Sequence, residues 1–373
     1  MPIVSTQRMD LNAVGLPTHQ LLTVNGEREP HEELDPYLRD IDEAALGDFL
    51  RDMMVLRRMD TEATALQRQG ELGLWAPLLG QEAAQIGSVR ATQSEDFIFP
   101  SYREHGVAWA RGVKAEDLLS VWRGVNPSGW DPNEVNIACQ QIVIGSQALH
   151  AAGYAMGIKF DGGNQVALSY FGDGATSQGD VNEALVFAAS YQAPALFFCQ
   201  NNHWAISEPV GLQSRTQLAD RAAGFGLAAW RVDGNDVLAV HAVTRAALEH
   251  VRSGAGPAFI EAVTYRMGPH TTADDPTRYR DEAELEHWRT KDPIQRLTKH
   301  LQLLGADVKS YVQRGEQAAD ELAAELRRAI TSMPDPQPTA LFAHVYAEPH
   351  AALAQAEHEY LQYLEEFETG ESL

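Results

Sequence analysis

The sequence is poor in cysteine and in basic residues, and it has no long apolar run. Its 373 residues include two cysteines, Cys139 and Cys199, and Cys199 falls in an apolar segment predicted to be a buried strand. A disulfide framework and a cysteine-rich zinc site are therefore not expected, and a reducing cytoplasm fits. Lys and Arg total 29 against 52 Asp and Glu, giving a net charge of −23. Nucleic-acid binding is not expected either, because it needs a basic surface.

No segment reaches the roughly 18 apolar residues of a membrane span, and the first residues contain no apolar core of signal-peptide length. We therefore expect a soluble protein with no membrane partner. A chain of 373 residues is long enough for about two average domains, or for one large α/β domain with extensions. Because the overall charge is negative, an anionic ligand would have to be held by local positive groups.

The most informative stretch is a predicted strand-helix-strand unit. An apolar run at 166–171 stops at Gly172, and a second run at 195–199 stops at Asn201 and Asn202. Between them, apolar residues recur with the period of a helix face. The strands of such a unit are parallel neighbours joined by a right-handed crossover. We therefore expect Asp173 and Asn202 to reach the same edge of a sheet, where ligands of parallel sheets bind.

The residue types at that edge suit a metal bound together with a diphosphate. Mg²⁺ prefers hard oxygens and shares them with phosphates. Asp173, Asn202 and the main-chain carbonyl of Trp204 can supply such oxygens. Gly172 and Gly174 let the backbone approach an anion, and the start of the next helix offers free N–H groups. Gly-Asp-Gly alone is usually a turn, so the prediction depends on both motifs occurring at this spacing.

Alternating strand and helix patterns extend along the chain and predict a doubly wound parallel sheet flanked by helices, an α/β fold. Further strands are predicted at 97–100, 228–232 and 258–263. The predicted organisation is an irregular N-terminal arm at 1–41, the α/β domain at 42–300, and a helical C-terminal extension at 301–373.

Gly172-Asp173-Gly174 with Asn201-Asn202 resembles the thiamine diphosphate binding motif. The surrounding sequence, from about Asp42 to Leu301, resembles the alpha subunit of the decarboxylating component of 2-oxo acid dehydrogenase complexes, and is most similar to the branched-chain type. The other segments that carry this resemblance are Leu66-Gln-Arg-Gln-Gly70, Tyr102-Arg-Glu-His-Gly106, Arg231-Val-Asp-Gly-Asn-Asp236 and Tyr265-Arg-Met-Gly-Pro-His270. The resemblance implies the thiamine diphosphate-binding fold, with this chain forming the diphosphate-binding domain.

The resemblance also implies roles for individual residues. Arg103 is expected on the diphosphate, because a guanidinium pairs two phosphate oxygens. His270 is the expected catalytic residue, since its pKa range lets it donate to phosphate or move a proton. Ser146 and Gln147 match a potassium site seen in some members. The implied metal ligands are Asp173, Asn202 and Trp204. The implied cofactor-binding residues are Ser101, Tyr102, Arg103, Ile142, Ile144, Gly172, Asp173, Gly174, Ala175, Asn202, Trp204, Ile206 and His270.

The implied activity is the thiamine diphosphate- and Mg²⁺-dependent oxidative decarboxylation of a 2-oxo acid, with transfer of the acyl group to the lipoyl group of a transacylase core. For the branched-chain type this is the 3-methyl-2-oxobutanoate dehydrogenase reaction. In the family, a glutamate on a second domain activates the cofactor, and the sequence predicts no second sheet-bearing domain. The chain is therefore expected to be inactive alone and to need a beta subunit in an α₂β₂ heterotetramer.

Three alternatives remain open. The same chemistry could act on pyruvate or acetoin, because the segment between Gly124 and Cys139 departs from the family on the substrate side. A NAD-binding dehydrogenase would need Gly-x-Gly-x-x-Gly after a strand, which this sequence lacks. A non-catalytic scaffold of the same fold would not require Asp173, Asn202 and His270 together.

Overall fold

A computed structural model describes residues 15–368 of the chain. Residues 1–14 of the expected N-terminal arm and residues 369–373 of the expected C-terminal extension lie outside this range. The chain divides into two compact units, with the boundary between Thr331 and Ser332. The division at residues 41 and 300 stays a prediction.

The first unit is built on a parallel sheet. In chain order, the strands of the described residues are β1 (Thr18–His19), β2 (Phe97–Phe99), β3 (Ala167–Gly172), β4 (Ala195–Asn201), β5 (Trp204–Ala205), β6 (Glu208–Pro209), β7 (Ala228–Asp233) and β8 (Ala258–Val263). Six of them form the parallel sheet in the order β1-β7-β8-β4-β3-β2, and β5 pairs antiparallel with β6. The short strand β1 falls in the segment expected to be irregular, and it pairs with β7 at the edge of the sheet.

Helices surround the sheet. Those before β4 are α1 (Glu43–Arg68), α2 (Glu82–Val89), α3 (His105–Ala110), α4 (Ala115–Arg123), α5 (Pro132–Val135), α6 (Ser146–Phe160) and α7 (Gly179–Tyr191). Those after it in the first unit are α8 (Val210–Gln213), α9 (Leu218–Gly224), α10 (Val237–Arg252), α11 (Glu282–Arg289), α12 (Pro293–Leu303) and α13 (Val308–Ser332), whose last residue reaches the second unit; the second unit contains α14 (Ala351–Glu368). Across the described residues, none of the helices combines the length and the apolar character needed to cross a bilayer.

The predicted strand-helix-strand unit is confirmed. Strand β3 lies parallel to β4, with Ala167 opposite Ala195 and Gly172 opposite Gln200, and α7 connects them. The further strands predicted from the sequence are also present, as β2, β7 and β8. The α/β class with a parallel sheet flanked by helices is therefore confirmed.

Both faces of the sheet are covered, which explains why its central strands read as nearly continuous apolar runs. On one face, Phe171 and Phe197 belong to a buried cluster with residues of α6, α7 and α9. On the other face, the hydroxyl of Tyr170 donates to Oγ of Ser88 on α2, at 3.0 Å. With both faces packed, the carboxyl edge of the strands is where loops and ligands can meet.

Candidate functional site

A cleft of about 270 Å³ opens at the carboxyl edge of β3 and β4. Most of the site residues expected from the sequence lie in its wall, together with several that were not expected. The lining residues are Gln81, Ser101, Tyr102, Arg103, Glu104, Ile144, Gly145, Gln147, Phe171, Gly172, Asp173, Gly174, Ala175, Gln200, Asn202, Trp204, Ala205, Ile206 and His270.

Asp173 follows β3 directly and is buried in the cleft wall. Its Oδ1 accepts a hydrogen bond from the backbone nitrogen of Asn202 at 3.3 Å, and its Oδ2 accepts one from Nε2 of Gln213 at 3.1 Å. Burial disfavours the charged form and raises the pKa of Asp173 to about 6. A 3₁₀ turn at Asp173–Ser177 separates this residue from α7. The N–H groups that follow Asp173 therefore belong to that turn, and not to the helix expected to supply them.

Asn202 brings a second oxygen to the same place. Its Nδ2 donates to Oε1 of Gln81 at 3.2 Å, and its Oδ1 accepts from the backbone nitrogen of Trp204 at 3.2 Å. The carbonyl oxygen of Trp204 accepts from Nη1 of Arg266 at 3.0 Å. Amide and carbonyl oxygens each carry two lone pairs, so both keep one for a further ligand. The neighbouring Asn201 instead contacts the buried Glu261, at 2.7 Å.

The close approach of two backbone segments requires glycine at position 174. A Cβ on Gly174 would lie 2.7 Å from the Cβ of Ala205 in β5. The following residue, Ile206, has a φ of +56°, which is rare for a β-branched side chain. Its carbonyl oxygen is held by Nη2 of Arg266 at 2.7 Å. Unusual backbone conformations held by their surroundings occur most often at functional sites.

Two guanidinium groups meet at His270. Nη2 of Arg103 lies 3.2 Å from Nδ1 of His270, and Nη1 of Arg266 lies 3.5 Å from the same atom. Because guanidinium groups only donate, Nδ1 must accept and the ring proton sits on Nε2. Burial, together with the two positive charges, lowers the pKa of His270 to about 3. The imidazole is therefore neutral at pH 7 and carries a hydrogen-bond donor at Nε2.

The loop that carries His270 is held in place by hydrogen bonds to charged and tyrosine side chains. The backbone nitrogen of His270 donates to Oδ2 of Asp274 at 2.7 Å, and the hydroxyl of Tyr279 also contacts that oxygen. The same hydroxyl accepts from Nη2 of Arg266 at 2.8 Å. Arg280 donates to the carbonyl oxygens of Arg266, Met267 and Gly268.

Four polar residues of the site were missed from the sequence: Gln81, Glu104, Gln200 and Gln213. Glu104 is buried, and it accepts from the backbone nitrogen of Ser101 at 2.6 Å and from Nε2 of Gln200 at 2.5 Å. Burial raises the pKa of its carboxyl group. Glu104 directly follows Arg103, and Gln200 directly precedes Asn201 and Asn202. This closeness to motif residues is the only signal in the sequence that could have identified them.

Some expected residues lie outside the cleft wall. Ile142 is 62% exposed and does not line it, whereas Ile144 lines it and is 40% exposed. Gln147 lines the cleft, and Ser146 does not; the Ser146 hydroxyl donates to the carbonyl oxygen of Val143 at 2.9 Å. Of these four residues, Ile144 and Gln147 reach the cleft.

The cleft suits a metal-bound diphosphate. Within the described part of the chain, the buried donor Nε2 of Gln81 and the buried acceptors Oε1 of Gln147 and Oε1 of Gln200 have no hydrogen-bond partner, and buried polar atoms normally have one. The donor suits a phosphate oxygen, whereas the two acceptors suit a cation or an N–H group of a ligand. In residues 15–368, no group of three or more His, Cys, Asp or Glu side chains could hold a metal. A cation here would need oxygens from a ligand, as Mg²⁺ does when it binds phosphates. Fold and cleft together define an α/β protein with a cleft at its sheet edge whose residues could hold an anionic cofactor.

Comparison with known proteins identifies the family. The model of the family described as "Dehydrogenase E1 component" matches residues 51–339. The chain is 45% identical over 327 residues to the 3-methyl-2-oxobutanoate dehydrogenase subunit alpha of Mycobacterium tuberculosis (strain ATCC 25618 / H37Rv), covering 87% of this chain and 89% of the relative. It is 42% identical over 288 residues to the pyruvate dehydrogenase E1 component subunit alpha of Staphylococcus aureus (strain COL), covering 77% of each chain. The chain belongs to the dehydrogenase E1 component family, which confirms the resemblance found in the sequence.

Proposed function

We propose that this chain is the alpha subunit of a branched-chain 2-oxo acid dehydrogenase. With a beta subunit, it would catalyse the oxidative decarboxylation of 3-methyl-2-oxobutanoate and related 2-oxo acids, and transfer the acyl group to the lipoyl group of a transacylase core. The observation that carries this proposal is the meeting of Asp173, Asn202, Arg103 and His270 in one cleft. The 45% identity to a relative named 3-methyl-2-oxobutanoate dehydrogenase subunit alpha supports the substrate class.

The cofactor in this proposal is thiamine diphosphate with Mg²⁺, held in the diphosphate-binding domain of the thiamine diphosphate-binding fold. Asp173, Asn202 and the carbonyl of Trp204 would hold the metal, because they present a carboxylate, an amide and a main-chain oxygen in one place. Arg103 would pair with the diphosphate and offset its charge in a protein that is negative overall. Gly172, Gly174 and Ala175 would keep the backbone close to the diphosphate.

Thiamine diphosphate, when bound, supplies the carbanion chemistry that removes CO₂ from a 2-oxo acid. The residues of this chain would hold the cofactor in place and donate hydrogen bonds or protons to the reacting groups. His270 is neutral at pH 7, so its Nε2–H can donate to a phosphate or to the reacting oxygen without adding charge. Tyr102, Ile144 and Ile206 would keep water away from the reaction. A potassium ion near Gln147 belongs to the same proposal, since Oε1 of Gln147 is buried without a partner in residues 15–368.

The beta subunit would cover the open side of the cleft. The residues Ile142, Val143, Ile144 and Ile206 are 62%, 68%, 40% and 56% exposed, an unusual density of exposed apolar side chains next to a site. Contiguous apolar surface of this kind marks interaction sites. An α₂β₂ heterotetramer, with the activating glutamate on the beta subunit, accounts for this exposure.

Pyruvate is the second candidate substrate. Relatives named as pyruvate dehydrogenase E1 component subunit alpha are 41% and 42% identical to this chain, only slightly less than the branched-chain relative. In this proposal most residues of the cleft wall would contact the cofactor, so they do not separate the two substrates.

The test is a substrate panel on the chain co-expressed with its beta subunit. We expect thiamine diphosphate-dependent decarboxylation of the 2-oxo acids of valine, leucine and isoleucine, with a higher kcat/KM than pyruvate gives. A preference for pyruvate would establish the second candidate. Full decarboxylase activity of the chain without a partner would refute its assignment as an alpha subunit.

A further inference from the structure

Gln81 lies in the wall of the cleft, and the family resemblance gave it no role. Its side chain is completely buried. One end of its amide is used, because Oε1 accepts from Nδ2 of Asn202 at 3.2 Å. The other end is unused, because Nε2 finds no hydrogen-bond partner among residues 15–368. A buried donor without a partner, in the wall of a ligand cleft, indicates that the ligand provides the missing acceptor.

The backbone fixes Gln81 in this place. Gly80 precedes it with a φ of +97°, and a Cβ on Gly80 would clash with the carbonyl oxygen of Tyr265. The carbonyl oxygen of Gly80 accepts from Oγ1 of Thr264 at 2.8 Å, directly after β8. Glycine thus allows this turn to pack against the end of the sheet. Gln81 is held at the start of α2 with its side chain toward the cleft.

The contacts with Trp204 and Gln81 together decide which way the amide of Asn202 faces. An asparagine amide can be turned by 180° with little change in shape, so its oxygen and nitrogen are placed by their partners. In the observed arrangement, Oδ1 of Asn202 accepts from the backbone of Trp204 and Nδ2 donates to Gln81. The opposite arrangement would put the two amide oxygens of Asn202 and Gln81 against each other. The N–H of Trp204 holds the oxygen of Asn202 on the side of the proposed metal, and Oε1 of Gln81 supports this orientation by accepting from the amide nitrogen.

We propose that Gln81 is a positioning residue for the metal ligand Asn202, and that its Nε2 donates a hydrogen bond to the bound diphosphate. This inference rests on the proposed function, since it assumes Mg²⁺ and a diphosphate in the cleft. It assigns a separate task to each end of one amide. A carboxylate at this position could orient Asn202 but could not donate, and a thioether could do neither.

Two variants of nearly the same size separate these tasks. Both variants would be studied in the protein assembled with its beta subunit. Gln81→Met removes both the acceptor Oε1 and the donor Nε2, whereas Gln81→Glu removes the donor and keeps an acceptor for Asn202. Quenching of tryptophan fluorescence would measure binding in two titrations. Mg²⁺ would be titrated at a thiamine diphosphate concentration that saturates each variant, and thiamine diphosphate would be titrated at saturating Mg²⁺. For Gln81→Met we expect the Mg²⁺ half-saturation to rise by about 10–100-fold, the usual effect of removing a partner of a metal ligand. For Gln81→Glu we expect the Mg²⁺ half-saturation to stay within about threefold of that of the unaltered protein, while the Kd for thiamine diphosphate rises about tenfold.

The outcomes are distinct. An unchanged Mg²⁺ half-saturation in Gln81→Met would overturn the positioning role. Equal losses in both titrations for both variants, with a lowered melting temperature, would indicate a purely structural glutamine and would also overturn it. If the unaltered protein itself showed no Mg²⁺-dependent binding of thiamine diphosphate, the proposed function would fail first, and the inference with it.

Discussion

Nη2 of Arg103 lies 2.9 Å from the carbonyl oxygen of His270. The same nitrogen lies 3.2 Å from Nδ1 of the imidazole, so one guanidinium fixes both the backbone and the ring of this residue. These two residues are separated by most of the α/β domain in sequence, and the contact brings the loop after β8 against the loop after β2. His270 is thereby held as a neutral donor whose reactive atom is Nε2.

Replacing His270 with alanine should separate cofactor binding from acyl transfer. Arg103, Arg266 and Asp173 remain in the variant, so we expect the affinity for thiamine diphosphate to change by less than about tenfold. Reductive acylation of a lipoyl acceptor should fall by about 100-fold or more, the range for loss of a proton-transferring group. Calorimetry and a lipoyl-domain acylation assay on the assembled protein would measure the two effects. Acyl transfer at the normal rate would rule out the proposed role of His270.

The pH dependence of Mg²⁺ binding should report on Asp173. Burial raises its pKa from 3.8 to about 6. In the protein without ligands, the protonated carboxyl stabilises the fold most fully below pH 3.8, and this contribution is lost as the pH rises through 6. Mg²⁺ needs the carboxylate, so its affinity should fall about tenfold per pH unit below pH 6 and be constant above pH 7.

Calorimetric titrations of Mg²⁺ with thiamine diphosphate, from pH 5 to pH 8, would test this dependence. Asp173→Ala should abolish Mg²⁺-dependent cofactor binding at every pH while leaving the far-ultraviolet circular dichroism spectrum unchanged. Tight binding by this variant would show that the metal site has been assigned to the wrong residue.

Gly174→Ala should disturb the cleft without unfolding the protein. The added Cβ would lie 2.7 Å from the Cβ of Ala205, so the 3₁₀ turn and β5 must move apart. Because this movement separates Asp173 from the segment that carries Trp204, we expect cofactor affinity to fall about tenfold or more. Gly179→Ala is the matched control, since a Cβ there meets no atom within 4 Å among the described residues. Equal affinity in the two variants would contradict this account.

The sequence predicts the strand-helix-strand unit of the site well, because that unit depends on the spacing of apolar residues along the chain. The apolar runs that end at Gly172 and Asn201 are separated by a helical pattern, and the topology of such a unit leaves Asp173 and Asn202 at one edge. The backbone nitrogen of Asn202 lies 3.3 Å from Oδ1 of Asp173. This closeness follows from the local sequence pattern and from the right-handed crossover that joins parallel strands.

The sequence does not predict the polar residues that hold this unit together. Gln81, Glu104 and Gln213 contact residues 121, 96 and 40 positions away, and nothing in local composition marks such pairs. The 3₁₀ turn after Gly172 was missed for a related reason. Its conformation depends on the packing of Gly174 against Ala205, which is a tertiary contact and not a local preference.

Tyr279→Phe should loosen the loop that carries His270. The hydroxyl of Tyr279 accepts from Arg266 at 2.8 Å and contacts Oδ2 of Asp274, the oxygen that also accepts from the backbone nitrogen of His270. Without the hydroxyl, the buried Arg266 and the half-buried Asp274 each lose one partner. A hydrogen bond to a charged group contributes about 1.5–3 kcal/mol, so local opening of the loop should become about 10–100-fold more frequent.

Hydrogen exchange of residues 268–280 would measure this opening in the assembled protein. Tyr311→Phe is a suitable control, because it removes a tyrosine hydroxyl that donates to Oε1 of Glu43 at 3.1 Å, far along the chain from this loop. The control should leave exchange in the loop unchanged. In Tyr279→Phe, faster exchange should be confined to this loop, and acyl transfer should fall more than cofactor affinity, because His270 is displaced while Asp173 and Asn202 are not. Unchanged exchange of residues 268–280 would mean that the remaining contacts of the loop, including those of Arg103 and Arg280, hold it without the Tyr279 hydroxyl.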